Sequence, residues 1–466
     1  MESQGRFDFA IFGENMAAWV AALLLARQGE RVLILPEKRE KPEFVGRILF
    51  GLEPGGLLLR MLERWGLPKK MLQACPPAHM ECLTPETSLW IQGPLDEEML
   101  GSPGYEFRGA AYDKLREVVR SMEAAPEWRA DFENEFLRRV GLGTRKNWRW
   151  VPFLPDAPAS WKRAVRKTVN PRGRGLRLPK EASTGEGTGR LIRGMGHLLY
   201  RDEAWIRRAP NPIQVASDLF ALRNAYFSDE IFPSIREEFR KILRGSGVEF
   251  LPDDVVPHFK RDSSGMWEAF YESNHKQLSL LRFDNLIFAR QLEPAALSRF
   301  EADAQKLVEA DLQKTEFDRY ELEVRFQKNP FPFQEPAELV SRSPSGGWVR
   351  LSVYQEPRSM VRVGAWIPVD GVQTKGDSKI VAERRLLREI RESLPGLAID
   401  SDHSEISTEI HRERRFRTGI GVKGNVSRVW HAHHQSYPQM AEYGPIVAAI
   451  EIARRRARRK GRELSI

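Results

Sequence analysis

An α/β fold built on a mostly parallel sheet, with an α+β domain inserted into it, is what this sequence predicts. Three observations carry the prediction. The chain opens on an apolar strand, a glycine turn and an Ala/Leu-rich helix (8–35), closes on a short strand and a long helix (425–456), and runs through helix, strand, hairpin and strand between them (227–289). At 466 residues it is too long for one ordinary domain and long enough for two or three interleaved ones.

Residues 8–12 (DFAIF) are aromatic and β-branched and read as a buried strand ending at Gly13. Residues 15–27 contain neither Gly nor Pro and read as a helix, which Gly29 ends before a second strand, 31–35. A parallel sheet that opens this way binds ligands at the carboxyl ends of its strands, where the first helix directs its N–H groups and dipole at a phosphate. Residues 50–67 pair a Gly-rich turn with a helix whose Leu58, Met61, Leu62 and Trp65 follow helical spacing. From about 70 to 224 the pattern is one of short helices and Pro-rich stretches, with an exposed loop at 184–189. Regularity returns with a helix at 233–243, a strand at 248–251, the apolar Val255 and Val256, a hairpin of 266–271 with 277–281, and a strand at 285–289. Residues 301–409 read as α+β, with strands near 320–326, 348–353 and 360–367 and a helix near 379–394. The expected division is therefore a discontinuous sheet domain (1–70, 225–300 and 410–466) and an inserted α+β domain (71–224 and 301–409).

The 41% hydrophobic and 29% charged fractions exclude disordered and collagen-like chains. The longest apolar run, 17–26, is about half of what a bilayer span needs and is bracketed by Glu14 and Arg27, so it reads as a buried helix. Residues 1–7 lack the pattern of a signal peptide, and the expected location is cytoplasmic. Cys75 and Cys82, with Pro76 and Pro77 between them, fit neither a zinc pair nor a disulfide framework and read as free thiols. The formal charge of +9 is concentrated: residues 145–180 hold eleven Lys and Arg against one acid, Asp156, and a second basic run spans 454–462. Such clusters face either solvent or an anionic partner, an acidic protein or a membrane surface bound peripherally. No nucleic-acid motif accompanies them, and no G-x-S-x-G, GK[ST] or HExxH element supports a hydrolase, NTPase or zincin.

The opening unit (8–37), the Gly turn and helix (50–67), the middle segment (227–290) and the closing strand, loop and helix (425–455) occur in an order that resembles the FAD-dependent amine oxidase and phytoene desaturase superfamily, which also includes the Rab GDP-dissociation inhibitors. The resemblance implies a Rossmann-like FAD/NAD(P)-binding fold with an inserted α+β substrate or cap domain. It implies cofactor contacts from Gly13, Asn15 and Ala18 in the G-x-G-x-x-G position, from Glu37 after the second strand, from Arg47 in the Val45-Gly46-Arg47 turn, from Val255, and from His431 and Gly444 near the end. The fingerprint glycines let the backbone turn tightly and approach a pyrophosphate, and an acid ending the second strand binds a ribose hydroxyl. Here Asn15 replaces the second Gly, Ala18 the third, Pro36 stands at the acidic position with Glu37 one residue late, and His431-Ala432 stand where the family has Gly-Asp.

Those departures lead to the expectation of a non-redox binding or scaffold protein with reduced, altered or lost flavin binding. The alternative is an active FAD-dependent oxidoreductase that removes hydride from a C–N or C–C bond of a small or lipidic substrate, with the chemistry carried by the flavin. One further constellation stands apart. On an extended strand His431 and His433 share a face, with His434 opposite, which suits either a metal pair or a polar loop lining the flavin-side cavity. Glu409, His411 and the basic run 412–417 face either an anion or solvent.

Overall fold

The structure, a computed structural model, describes residues 3–35, 48–50, 52, 57–83, 88–90, 194, 196–198, 222, 225–227, 232–253, 255–272, 278–290, 292, 294–325, 337–342, 348–356, 360–368, 388, 406–417, 422–424, 428–436 and 444–462. Compactness divides the chain into a first unit, Met1–Glu43, Pro233–Asp318 and His411–Ile466, and a second, Phe44–Phe232 and Arg319–Ile410. These bounds differ from the expected ones at 44–70, 225–232, 301–318 and 410.

The first unit is built on one sheet. Its strands are β1 (Ser3–Phe12), β2 (Val32–Leu35), β7 (Glu249–Phe250), β8 (His258–Arg261), β9 (Trp267–Glu272), β10 (Leu278–Phe288) and β16 (Val429–His431); β3–β6 and β11–β15 are given below with the second unit. The order is β7-β2-β1-β10-β9-β8, with β16 also pairing β10. The pairs β7/β2, β2/β1, β1/β10 and β10/β16 are parallel, whereas β9 runs antiparallel to both β10 and β8. The two sequence segments expected as hairpin arm and closing strand form one strand, β10, whose first half pairs β9 and whose last three residues pair β16. The parallel core is the Rossmann-like sheet, entered at β1, with chain reversal between β1 and β10.

Helix α1 (Met16–Ala26) is apolar on every side because it is covered on every side. Ala17 to Leu25 are all buried. Trp19 stacks on Phe239 of α4 (Phe232–Gly245), with ring centroids 5.0 Å apart, and the long helix α7 (Gly444–Arg459) packs along α1. Two clamps fix α7 there: the buried Glu30 carboxylate receives Arg456 at 2.9 and 3.0 Å together with Lys460, and Gln28 donates to the Ala453 carbonyl at 3.1 Å. Burial alone would raise the Glu30 pKa, but the hydrogen bonds from Arg456 and Lys460 outweigh it and hold the carboxyl below its usual range. The opposite sheet face is aromatic, with Phe12, Phe259, Phe288, Phe300 and Phe416 in one cluster with α5 (Pro294–Leu297) and α6 (Ala302–Glu309).

The second unit contains α2 (Leu57–Trp65) and α3 (Lys69–Gln73), the pair β3 (Ile48–Phe50) with β6 (Ala225–Phe227), and strands β4 (His79–Leu83), β5 (Ser88–Trp90), β12 (Ala337–Arg342), β13 (Trp348–Glu356) and β14 (Met360–Pro368). A larger sheet runs β15-β11-β14-β13-β12-β4-β5, where β11 is Leu312–Arg325 and β15 is Ile406–Phe416, two strands through which the unit boundaries pass. Cys75 and Cys82 are separate buried thiols, and burial pushes Cys75 up to about 11. The expected loop at 184–189 and helix at 379–394 lie outside the described residues, apart from Arg388 in the latter. Among the described residues no helix is long and apolar enough to cross a membrane.

Candidate functional site

The parallel register places Leu35, Phe12, Phe288 and His431 in one row at the carboxyl edge of the sheet. The ladder continues one step beyond: Gly13 donates to the Leu35 carbonyl at 3.0 Å, Ala289 to Phe12 at 3.1 Å, and Ala432 to Phe288 at 2.8 Å. Ligands of open α/β sheets bind at this edge, in the crevice where strand order reverses.

At the β1 end, Gly13 has φ of 98°, a backbone conformation that L side chains rarely adopt. A Cβ built there would come within 2.7 Å of Arg290 Cδ, so the Arg290 stem crosses over the turn. Asn15 is the N-cap of α1, and both ends of its amide are used. Oδ1 accepts from the Ala18 N–H at 3.0 Å, and Nδ2 donates to the Ala289 carbonyl at 2.9 Å, joining the helix start to the end of β10. Asparagine is a preferred N-cap for the first of these reasons, and the second ties the cap across the reversal point. Glu14, between Gly13 and Asn15, is a buried carboxylate that receives Arg240 Nε and Nη2, both at 2.7 Å, and Arg236 Nη2 at 2.6 Å. Asp253, after β7, shares both guanidinium groups. Burial raises the Glu14 pKa, and the bonds from Arg240 and Arg236 more than reverse this.

At the β16 end a second cluster is fully buried. His431 Nε2 lies 2.9 Å from Asp311 Oδ2, and His433 Nε2 lies 3.1 Å from His431 Nδ1. Phe416 stacks on His433 at 4.4 Å, and Phe288 on His431 at 6.0 Å. The turn His434–Ser436 holds the backbone that carries both imidazoles, since Ser436 donates its backbone N–H to the His433 carbonyl and its hydroxyl to the His431 carbonyl, each at 3.0 Å. On the other side Gly424 passes so close that an added Cβ would stand 2.5 Å from Asp311 Oδ2 and 2.9 Å from His431 Nε2. Burial lowers the His431 pKa, a shift that Asp311 opposes. Burial lowers His433 further, with His431 and His434 adding to the effect.

The expected site residues fall as follows. Gly13, Asn15 and Ala18 form the β1 turn together, and His431 ends β16 in the same row of the sheet. Gly444 is the buried first residue of α7, and Val255 lies in the aromatic core cluster with Leu35 and Phe259. Glu37 and Arg47 lie outside the described residues, as does the basic segment 145–180. The pair His431 and His433 does share a face, and it forms a hydrogen-bonded chain with Asp311; among the described residues no group of three or more His, Cys, Asp or Glu could hold a metal ion. Of the second basic run, Arg454 and Arg455 bind Glu451, Arg456 and Lys460 bind Glu30, Arg459 lies over Trp430, and Arg462 donates to the Gln28 carbonyl. Sequence reasoning missed Glu14 with its two arginines, Arg290 and Asp311. An Asn directly before an Ala-rich helix is itself an N-cap signal, and it was the one available clue to the closed turn.

No protein-family model matches the sequence, and no curated protein matches it. Solved structures that share the arrangement include an oxidoreductase from Methanosarcina mazei (12% identity, 95% of this chain and 98% of that one, TM-score 0.49). They also include Rab GDI from Plasmodium falciparum (12% identity, 99% of both chains, TM-score 0.44) and a triple mutant of putrescine oxidase redesigned in its cofactor binding (12% identity, 98% of both chains, TM-score 0.45). They span a redox enzyme and a GDI, and a fold of this kind does not fix a function.

Proposed function

We propose that this chain is a non-redox binding protein carried on a flavoprotein-like fold, with the nucleotide end of its first strand occupied by its own side chains. The observation that supports this reading is Asn15, whose amide caps α1 and bridges to Ala289 across the point where a dinucleotide pyrophosphate would approach. A phosphate at a helix N-terminus needs open N–H donors and close backbone approach. In this reading the turn does not fit one: the Ala18 N–H is taken, the Arg290 stem covers Gly13, and the neighbouring anion is the buried Glu14 carboxylate. The partner is then sought at the basic segment 145–180 rather than at 454–462, where most cations serve internal clamps.

The test is the visible spectrum of the purified protein, before and after incubation with FAD and desalting, with FAD titrated calorimetrically alongside. A colourless protein that gives no heat with FAD is the expected result. A protein that keeps FAD through desalting overturns this reading in favour of the oxidoreductase, and its substrate search begins with amines and C–C bonds open to hydride removal.

A further inference from the structure

The chain of buried polar groups at the β16 end has a direction. An ionised carboxylate only accepts hydrogen bonds, so the proton between Asp311 and His431 sits on His431 Nε2. A neutral His431 then presents Nδ1 as an acceptor, and His433 must donate to it from Nε2. His433 Nδ1 is left as a lone pair, and it is a buried atom with no hydrogen-bond partner among the described residues. The Gln435 side chain lies within hydrogen-bonding reach of the His433 ring and favours its charged form, but it makes no bond of sound geometry to Nδ1. Buried polar atoms are almost always paired, and an orphan calls for a ligand, a water or a chemical role.

We propose that Asp311, His431 and His433 form a proton relay ending in a base, His433 Nδ1, whose ligand is a neutral O–H group, water or an alcohol hydroxyl. The site lies two residues beyond the last residue of β16, on the ligand side of the sheet, and does not depend on whether the β1 turn takes a nucleotide. When a proton enters at His433 Nδ1, the Nε2 proton of His433 passes along the 3.1 Å hydrogen bond to His431 Nδ1. His433 ends neutral with its tautomer exchanged, and the positive charge rests on His431, 2.9 Å from the Asp311 carboxylate. The donor is left as hydroxide or alkoxide, and no electrons move. Asp311 and His431 are positioning residues in this scheme, since they act through His433. The groups that bear on the pair are Asp311, His434 and Gln435, together with Arg417, whose N–H binds the Asp311 carbonyl and whose guanidinium binds that of Leu312.

The test is ¹⁵N NMR of the full chain labelled at histidine, read at about pH 8 and then on acidification. The expected result is an Nε2–H tautomer at both residues, with His433 exchanging to Nδ1–H as His431 gains its charge, in one joint event. An Nδ1–H tautomer for His433 at the starting pH, or titration of the two rings independently, overturns the relay. An Nδ1 resonance already shifted as a hydrogen-bonded acceptor identifies water as the ligand. A shift that appears only on adding ethanol identifies an alcohol hydroxyl, and a lone pair that stays unbonded in both samples overturns the ligand assignment. Asp311→Asn is expected to abolish the joint event while the fold, read from the amide spectrum, persists.

Discussion

Two ends of parallel strands in one sheet treat their polar groups in opposite ways. At the β1 turn two polar side chains are met from nearby elements: Asn15 spends both ends of its amide, and Glu14 is held by Arg236 and Arg240. At the β16 end a more deeply buried set, Asp311, His431 and His433, stops one partner short among the described residues. The first arrangement stabilises a closed turn. The second keeps an acceptor in reserve, and buried groups left unmatched are tolerated where they serve something other than stability.

The largest blow to the contrast is Asp311→Ala, which strands the His431 Nε2–H in the core and is expected to cost about 3 kcal/mol, read from the urea midpoint. Asp311→Asn, which restores a partner, is expected to recover most of that loss. At the other end, Gly13→Ala meets both the φ of 98° and the Arg290 stem, and about 2 kcal/mol of destabilisation is expected in the same assay.

Acid separates the two ends by window. The His431 and His433 pKa values are lowered on folding, so their contribution is complete above the ordinary imidazole value of 6.5 and declines as pH falls below it. Each such group gives a slope of at most about 1.4 kcal/mol per pH unit. The Glu14 and Glu30 values are also lowered, so their contribution is complete above the ordinary value of 4.5 and is lost only as pH falls through their folded values. Thermal midpoints measured across this range should fall in two stages, and His433→Gln should flatten the upper stage while leaving the lower one. A single stage confined to the carboxylate range would place the histidine contribution elsewhere.

The smallest effects dissect the cap. Asn15→Ala is expected to cost about 1.5 kcal/mol by uncapping α1 and giving up the bond to Ala289. Asn15→Ser keeps a capping oxygen and gives up only the bond to Ala289, for which a loss of about 0.5 kcal/mol is expected in chemical denaturation. Equal losses for the two substitutions would mean that the bridge, rather than the cap, is what Asn15 contributes.

The fold was legible because its signals are local. Strand β1, the Gly13 turn, α1 and the proline near the start of α7 each announce themselves within a dozen residues, and helical or alternating periodicity does the rest. Strand β10 was read as two pieces because polar Arg282 and Asp284 interrupt its apolar pattern; both sit near charged partners, Glu268 and Arg6, that pairing alone brings into place. The site was half legible. His431 and His433 were readable as a same-face pair, but Asp311 stands 120 residues away from His431 and carries no motif of its own. Glu14 was passed over for the same reason, as its partner Arg240 is 226 residues distant. Long-range charge pairing has no period, so a single sequence leaves it silent.

The clamp of Glu30 by Arg456, across 426 residues of chain, also orders events during synthesis. Helix α1 emerges from the ribosome long before α7, with one flank destined for α4 and another for α7. Until α7 is made, that second flank has nothing to cover it, and a helix apolar all round is poorly suited to wait in water. While the chain between α1 and α7 is being made, the first unit is thus held as a nascent, sticky intermediate, and contacts of such separation set a slow pace for its closure. Chaperone occupancy, mapped along the nascent chain, should persist until residues 444–459 clear the exit tunnel and then drop.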